Sequence, residues 1–140
     1  MSAVPDAIDG LVEVLGATVV QVVDGPPTTN VRGDVIAVGI GLQDSPDVAA
    51  ETAVAGLVAQ RETFTVSCLA RSWSGDNDIS TQRRRTYSVV DQARAVLGAD
   101  QTLGGRVSRA RWAGSTYMPQ RTDKGQLVVD VLFRVEITQL

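Results

Sequence analysis

The chain has 140 residues, a length that suits a single domain, and its 44% apolar and 21% charged residues are typical of a globular protein. Cys68 is the only cysteine and histidine is absent, which excludes a disulfide framework, a cysteine-based zinc site and the most common general base. The net charge of −3 is uneven: residues 1–70 carry two basic and nine acidic side chains, and residues 71–140 carry eleven basic and seven acidic ones. Such a split either brings unlike surfaces of neighbouring copies together or averages out in the fold.

The N-terminus has neither the basic nor the apolar region of a secretory signal, and no apolar run reaches the roughly 20 residues that span a bilayer. We therefore expect a protein that assembles in a reducing cytoplasm and has no membrane partner.

The first half of the chain is predicted to form a helix and two strands. Apolar residues recur at helical spacing over Val4–Leu15, with Ser2 as the expected cap. Thr18–Val23 and Asp34–Leu42 are rich in β-branched residues and predict two strands, joined as a hairpin across a proline-containing loop. Residues 43–60 fit a helix, an irregular segment or a short edge strand equally well.

A third strand and a second helix follow. Glu62–Trp73 alternates, which places Phe64, Val66 and Cys68 on one face of a strand. The second helix has its apolar stripe from Tyr87 to Leu97, and we expect Ser80 or Thr81 to cap it and Gly98 to end it.

Two strands complete the chain. Arg106–Tyr117 alternates arginine with small or apolar residues, and Leu127–Leu140 has one wholly apolar face, as expected for a strand that a helix covers on one side. This order predicts an α+β fold, with two helices packed on a mostly antiparallel sheet, in one domain over residues 1–140.

Motifs for chemistry are weak. Asp76 and Asp78 flank a polar loop that lacks the pattern of a calcium site and is better interpreted as a solvated turn. Gly104 and Gly105 precede a predicted strand, which is not the arrangement of a phosphate-binding loop. Cys68 lies among apolar residues and is expected to be a packed thiol. We expect no catalytic residue, no cofactor and no metal.

The arginines are the strongest candidates for a binding surface. Arg83, Arg84 and Arg85 are consecutive on the predicted helix and cannot all lie on one face, and a strand supplies Arg106, Arg109 and Arg111. Contact with DNA phosphates, a basic rim that pairs with an acidic neighbour, and a solvated face are the three interpretations, of which we favour the rim.

Taken together, the chain resembles the tail terminator, or tail-completion, proteins of long-tailed phages. The matching features follow one another in order along the chain: the acidic first helix with Val19–Asp24 and Gly25–Pro27, then Val35–Gly39, Arg61–Val66, Ser72–Asp76, Arg83–Leu97, Leu103–Gly105, and finally Tyr117, Gln120, Gly125 and Val129–Ile137. Residues 43–60 match nothing in the family.

The resemblance implies a structural virion protein without enzymatic activity. Such proteins form a homohexameric ring at the head-proximal end of the tail tube, end its polymerisation and dock onto the head-side neck protein, with the genome DNA passing through the bore. Its expected partners are therefore further copies of the chain, the major tail tube protein and a neck or connector protein, and its expected location is the tail and neck of the virion. The alternatives are another neck component, such as a head-closure or connector protein, and a small cytosolic ligand-binding domain. Asp76 and Asp78 join the six arginines as candidate interface residues.

Overall fold

A computed structural model describes residues 3–18, 20–25, 33–40, 48–55, 59–73, 78–121 and 125–140, with the backbone alone for 48–55, 59–61 and 73. Within these residues there are two helices and six strands. In chain order they are α1 (Val4–Leu15), β1 (Gln21–Asp24), β2 (Gly33–Val38), β3 (Val48–Ala55), β4 (Ala59–Trp73), α2 (Ile79–Ala99), β5 (Arg109–Arg121) and β6 (Leu127–Gln139).

All six strands belong to one sheet. Five of them run in the order β1-β2-β4-β6-β5, and β3 pairs with the first half of β4. Every pairing is antiparallel except that of β1 with β2. Both helices pack on the same core: α1 contacts β1 and β2, and α2 contacts β2, β4, β5 and β6. The predicted α+β fold with a mostly antiparallel sheet is confirmed.

The N-cap of helix α1 lies one residue later than expected. Ala3, not Ser2, is the N-cap; no side chain caps the helix, and the Ala3 amide donates instead to Glu62 Oε1 of β4 at 2.7 Å. Ala7, Leu11 and Leu15 are fully buried on the face that meets the sheet. A tertiary contact thus replaces the local cap, because an orphan helix amide can be satisfied by any acceptor in reach.

The expected hairpin of the first two strands is wrong. β1 and β2 are parallel neighbours, with Gln21 opposite Val35 and Asp24 opposite Val38. Residues 25–32 connect the end of β1 to the start of β2. At about 3.3 Å per residue, eight residues can span twice the length of the four-residue strand β1, which is enough for the chain to return to the level at which β1 begins. The strands are also shorter than predicted, since β1 begins at Gln21 and β2 ends at Val38.

Part of the segment 43–60, for which the sequence allowed three interpretations, forms an edge strand. β3 pairs with β4 from Val48 opposite Val66 to Ala55 opposite Ala59. β4 is fifteen residues long, and it pairs with β3 and β2 on one side and with β6 on the other. As predicted, Phe64 and Cys68 share the buried helix-facing side with Val66.

Helix α2 starts earlier and ends later than expected. Asp78 is the N-cap, and its carboxylate accepts hydrogen bonds from the Ser80 amide at 3.1 Å and the Thr81 hydroxyl at 2.8 Å. Ser80 and Thr81 are therefore not the cap, because a carboxylate two residues upstream reaches the same orphan amides. Gly98 does not end the helix, which continues to Ala99.

A turn that buries Leu103 and Val107 separates α2 from β5. Leu103 is fully buried and has a φ of 52°, and a Cβ built on Gly10 of α1 would lie 2.9 Å from the Leu103 Cβ, so the two backbones approach closely only because residue 10 is glycine. Arg106 belongs to this turn, so β5 begins at Arg109 and not at Arg106 as predicted. The strand ends at Arg121, beyond the predicted end at Tyr117.

Strand β6 lies between β4 and β5 and supplies the centre of the core. The five alternating residues of its helix-facing side are fully buried, as the sequence predicts: Val129, Val131, Phe133, Val135 and Ile137. Phe133 stacks on Trp112 of β5, with ring centroids 4.8 Å apart and an interplanar angle of 10°.

Candidate functional site

The three consecutive arginines of α2 are all exposed and diverge, as predicted. The Arg83 guanidinium lies over the ring of Tyr117 on β5, with its carbon 6.0 Å from the ring centroid. Arg85 reaches the other way, to Asp34 of β2, at 3.8 Å. Arg84 has no ion pair with any described residue. These side chains form no single binding face.

Two other predicted interface residues, Arg106 and Asp78, have partners within the chain. Arg106 bonds to the Leu103 carbonyl and pairs with Glu13 of α1, so it ties the turn to the first helix. Asp78 is occupied as the α2 cap, and its hydrogen bonds from Thr81 and Ser80 lower the pKa of its carboxyl. Asp76 lies outside the described residues.

Arg109 and Arg111 lie together beside a groove at the β5 edge of the sheet. This β5 groove runs between the C-terminal half of α2 and the start of β5, and it is lined by Arg94, Leu97, Gly98, Gln101, Arg109, Ala110, Arg111 and Trp112. Three of these eight residues are arginines and none is acidic. Arg111 pairs with Glu136 at 2.8 Å, whereas Arg109 has no ion pair with any residue the structure describes.

Trp112 forms the floor of the β5 groove. It stacks on Phe133, and the guanidinium carbon of Arg94 lies 5.6 Å from the centroid of the indole ring. A cation over an indole face is attracted by the ring quadrupole, which favours this position of the Arg94 guanidinium. Because the ring already contacts Phe133 and Arg94, it is poorly placed to stack on a nucleobase.

Helix α1 carries the opposite charge on its exposed side. The acidic stripe consists of Asp6, Asp9 and Glu13, spaced at helical intervals on the side of α1 turned away from Leu11 and the core. Glu13 pairs with Arg106, but Asp6 and Asp9 form no ion pair with a described residue.

The acidic stripe and the β5 groove belong to different elements, the stripe to α1 and the groove to α2 and β5. α1 covers β1 and β2 at one side of the sheet, α2 covers the central strands, and β5 is the edge strand at the other side. Sequence analysis did not name Arg94 or Trp112 among the candidate interface residues. The available signals were the split of charge between the two halves of the chain and the helical spacing of the three acids.

The face of the sheet opposite the helices holds a buried ion pair. Arg71 of β4 donates to both carboxylate oxygens of Asp130 of β6, at 2.8 and 2.9 Å, and Gln120 of β5 donates to the same carboxylate at 2.8 Å. The Asp130 side chain is 2% exposed and that of Arg71 21%. The hydrogen bond to Asp130 raises the pKa of Arg71, so the guanidinium remains charged.

Cys68 is fully buried in the core. Burial raises the pKa of the Cys68 thiol to about 12, which keeps it neutral and unreactive at physiological pH. No group of three or more potential metal-ligating side chains occurs among the residues in the described ranges. None of the helices described here is long and apolar enough to cross a membrane.

No known protein family matches the chain, and no curated protein is significantly similar to it.

Proposed function

We propose that this chain is a ring-forming structural protein of a phage tail, which ends the tail tube at its head-proximal side and offers the docking surface for the neck. One observation carries the proposal: a single domain has two unlike charged surfaces on different elements, the acidic stripe on α1 and the β5 groove between α2 and β5. A head-to-tail ring requires two different patches, because each copy presents one patch to the copy before it and the other to the copy after it.

The charges left unpaired within the chain support association between copies. Asp6, Asp9 and Arg109 have no ion pair with a described residue, and the guanidinium of Arg94 lies over the Trp112 ring. These charges add little to the stability of the folded chain, since exposed charges are worth about 0–1 kcal/mol each. They are available to a neighbour of opposite charge.

The edge of the sheet favours contact through side chains over strand addition. β5 carries an irregularity between Trp112 and Ser115 and a proline at position 119, which has no amide hydrogen to donate. Both features oppose continuous pairing with a strand of another copy. Docking through the β5 groove does not need such pairing.

A closed ring with two unlike faces suits the proposed role. A growing tube presents the same surface after each added ring of subunits, so its own geometry gives no signal to stop. A different ring that binds this end, and offers no equivalent end above it, stops growth. This role requires no acid, base or metal ion.

The test is deletion of the chain from a phage that carries it. We expect filled heads without tails beside tails longer than normal, with the other virion proteins in normal amounts. Purified protein added to extracts should cap tails of normal length and restore their joining to heads. Addition of Phe133→Asp, which removes the folded core, is the matched control and should restore nothing.

Two other outcomes would contradict the proposal. Heads that leak DNA beside free tails of normal length would assign the chain to the head side, as a head-closure or connector protein. A purified chain that remains monomeric at all concentrations, and with isolated tail tubes, would favour a small ligand-binding domain.

A further inference from the structure

We propose that the face of the sheet opposite the helices binds the phosphate backbone of a nucleic acid duplex at one end, through Arg109 and Arg111 of β5 and Arg134 of β6. These three residues are called the arginine corner. The inference goes beyond the proposed function and does not depend on the formation of a ring.

Strand alternation brings the arginine corner together. Arg111 lies opposite Glu136 in the register of β5 with β6, and their ion pair at 2.8 Å shows that both side chains project from one face. Arg109 and Arg134 are each two positions along the strand from one of these residues, so they project from the same face. Trp112 follows Arg111 in sequence and projects to the opposite face, where the helices lie. At about 3.4 Å per residue, the corner extends about 14 Å along the strands.

The arginine corner has an excess of positive charge. Arg109 and Arg134 form no ion pair with any residue that the structure describes. Glu136 is the one acidic side chain described at this end of the face, so three positive charges stand against one negative charge. In the backbone register the next charged positions are Glu51 and Arg61, whose signs are opposite. The corner is therefore locally basic in a chain whose net charge is −3.

Threonine hydroxyls surround the arginine corner on the same face of the sheet. They belong to Thr63 and Thr65 of β4, Thr116 of β5 and Thr138 of β6. Arginine and threonine side chains both donate hydrogen bonds to phosphate oxygens, and such contacts carry no information on base sequence. The surface therefore suits a phosphate backbone, and we expect it to bind one without preference for sequence.

An acidic protein is a weaker candidate for this surface. Protein–protein contacts are centred on buried aromatic or apolar anchors, and neither the arginine corner nor the threonines around it supply one. The described aromatic rings of β5 project to the helix side, where Trp112 stacks on Phe133 and Tyr117 lies near Tyr87. Among the described residues of the corner there is likewise no ring on which a base could stack, which leaves the phosphates as the group recognised.

The experiment is a titration of a fluorescently labelled DNA duplex with the purified full chain, read by anisotropy over a series of salt concentrations. We expect binding despite the negative net charge of the chain, with equal strength for two unrelated sequences. Arg109→Gln/Arg134→Gln should weaken binding about tenfold at low salt and reduce the slope of log K against log salt by about 2. Glu136→Gln removes the acid that pairs with Arg111, so it should tighten binding and increase that slope by about 1.

A matched control separates the arginine corner from a general effect of charge. Arg84→Gln/Arg121→Gln makes the same change of net charge elsewhere, since Arg84 is on α2 and Arg121 pairs with Leu127 on the helix side of β6. Its affinity for the duplex should stay within about twofold of the original, because exposed charges away from the contact contribute little. Circular dichroism and Tm should show that all variants are folded. A poly-glutamate peptide should compete poorly with the duplex.

The outcomes test this inference separately from the proposed function. Absence of duplex binding at the lowest salt would overturn the inference, and so would equal weakening by the control variant. Poly-glutamate that displaces the duplex at matched charge would also overturn it, by assigning the corner to an acidic protein. Rings formed by a chain that does not bind the duplex would leave the proposed function standing. Duplex binding by a chain that never forms rings, even on tail tubes, would overturn the proposed function and leave the arginine corner standing.

Discussion

Removal of the Asp130 carboxylate should destabilise the fold more than its place on the polar side of β6 suggests. The carboxylate accepts two hydrogen bonds from Arg71 and one from Gln120, and its side chain is only 2% exposed. In Asp130→Ala the Arg71 guanidinium loses both of these acceptors while its side chain remains 21% exposed.

The magnitude follows from what remains buried. Removing one partner of a buried pair costs about 3–5 kcal/mol, and Asp130→Ala should lie near 3 because Arg71 keeps some contact with water. Arg71→Met should cost more, toward 5, because it leaves the less exposed member, Asp130, with Gln120 as its remaining side-chain donor. The double variant Arg71→Met/Asp130→Leu leaves no charge behind and should differ from the original by no more than about 1–2 kcal/mol.

Urea unfolding measures this order directly, with tryptophan fluorescence as the signal. With a slope of about 1–3 kcal/mol per molar urea, the Asp130→Ala midpoint should fall by at least about 1 M. The exposed pair Arg111 and Glu136 offers the matched control, and Glu136→Ala should change the free energy of unfolding by less than about 1 kcal/mol. A double variant as unstable as Arg71→Met, or Arg71→Met milder than Asp130→Ala, would refute the reasoning.

Further predictions concern the core, the arginines and the thiol. Val131→Asp or Phe133→Asp should prevent soluble folding, since each puts an unpaired charge at a fully buried position; a soluble variant with native circular dichroism would contradict this. Reversing all three arginines 83–85 to glutamate should leave Tm within a few degrees yet weaken ring assembly, most at low salt; normal assembly would reduce them to a solvated surface. Cys68 should resist thiol reagents in the folded protein at pH 8. Folding raises the pKa of the Cys68 thiol from about 9 to about 12, so the stability that the neutral thiol contributes is complete below pH 9 and is lost as the pH rises toward 12. Cys68→Ala should reduce this loss of stability between pH 9 and 12. An unchanged dependence of stability on pH in that range would contradict the assignment.

Local features of the fold were predictable because they repeat with the geometry of the backbone. The buried side of β6, including Phe133, follows from strict alternation, and the divergence of Arg83 and Arg85 follows from the angular spacing of helix residues. The existence and order of both helices followed from the same periodicities. The ends of the elements were less accurate, since Asp78 and Ala3 took the capping positions expected for other residues.

What sequence reasoning could not supply were relations between distant segments. Whether β1 and β2 pair in a parallel or an antiparallel direction depends on the strand that packs beside them. The composition of the loop between them does not encode this direction. Within the segment 43–60, residues 48–55 form a strand because one side of β4 offers backbone N–H and C=O groups that require hydrogen-bond partners.

The sequence by itself determined the α+β fold, the apolar side of the last strand and the unequal division of charge. Only the tertiary structure decided which charges meet. Arg71 and Asp130 are 59 residues apart and bond across adjacent strands, while Arg94 and Arg109 come from a helix and a strand to line one groove. Periodicity acts over a few residues through backbone geometry, whereas these contacts depend on the packing of whole elements, which burial of the apolar sides of α1, α2 and the sheet fixes cooperatively.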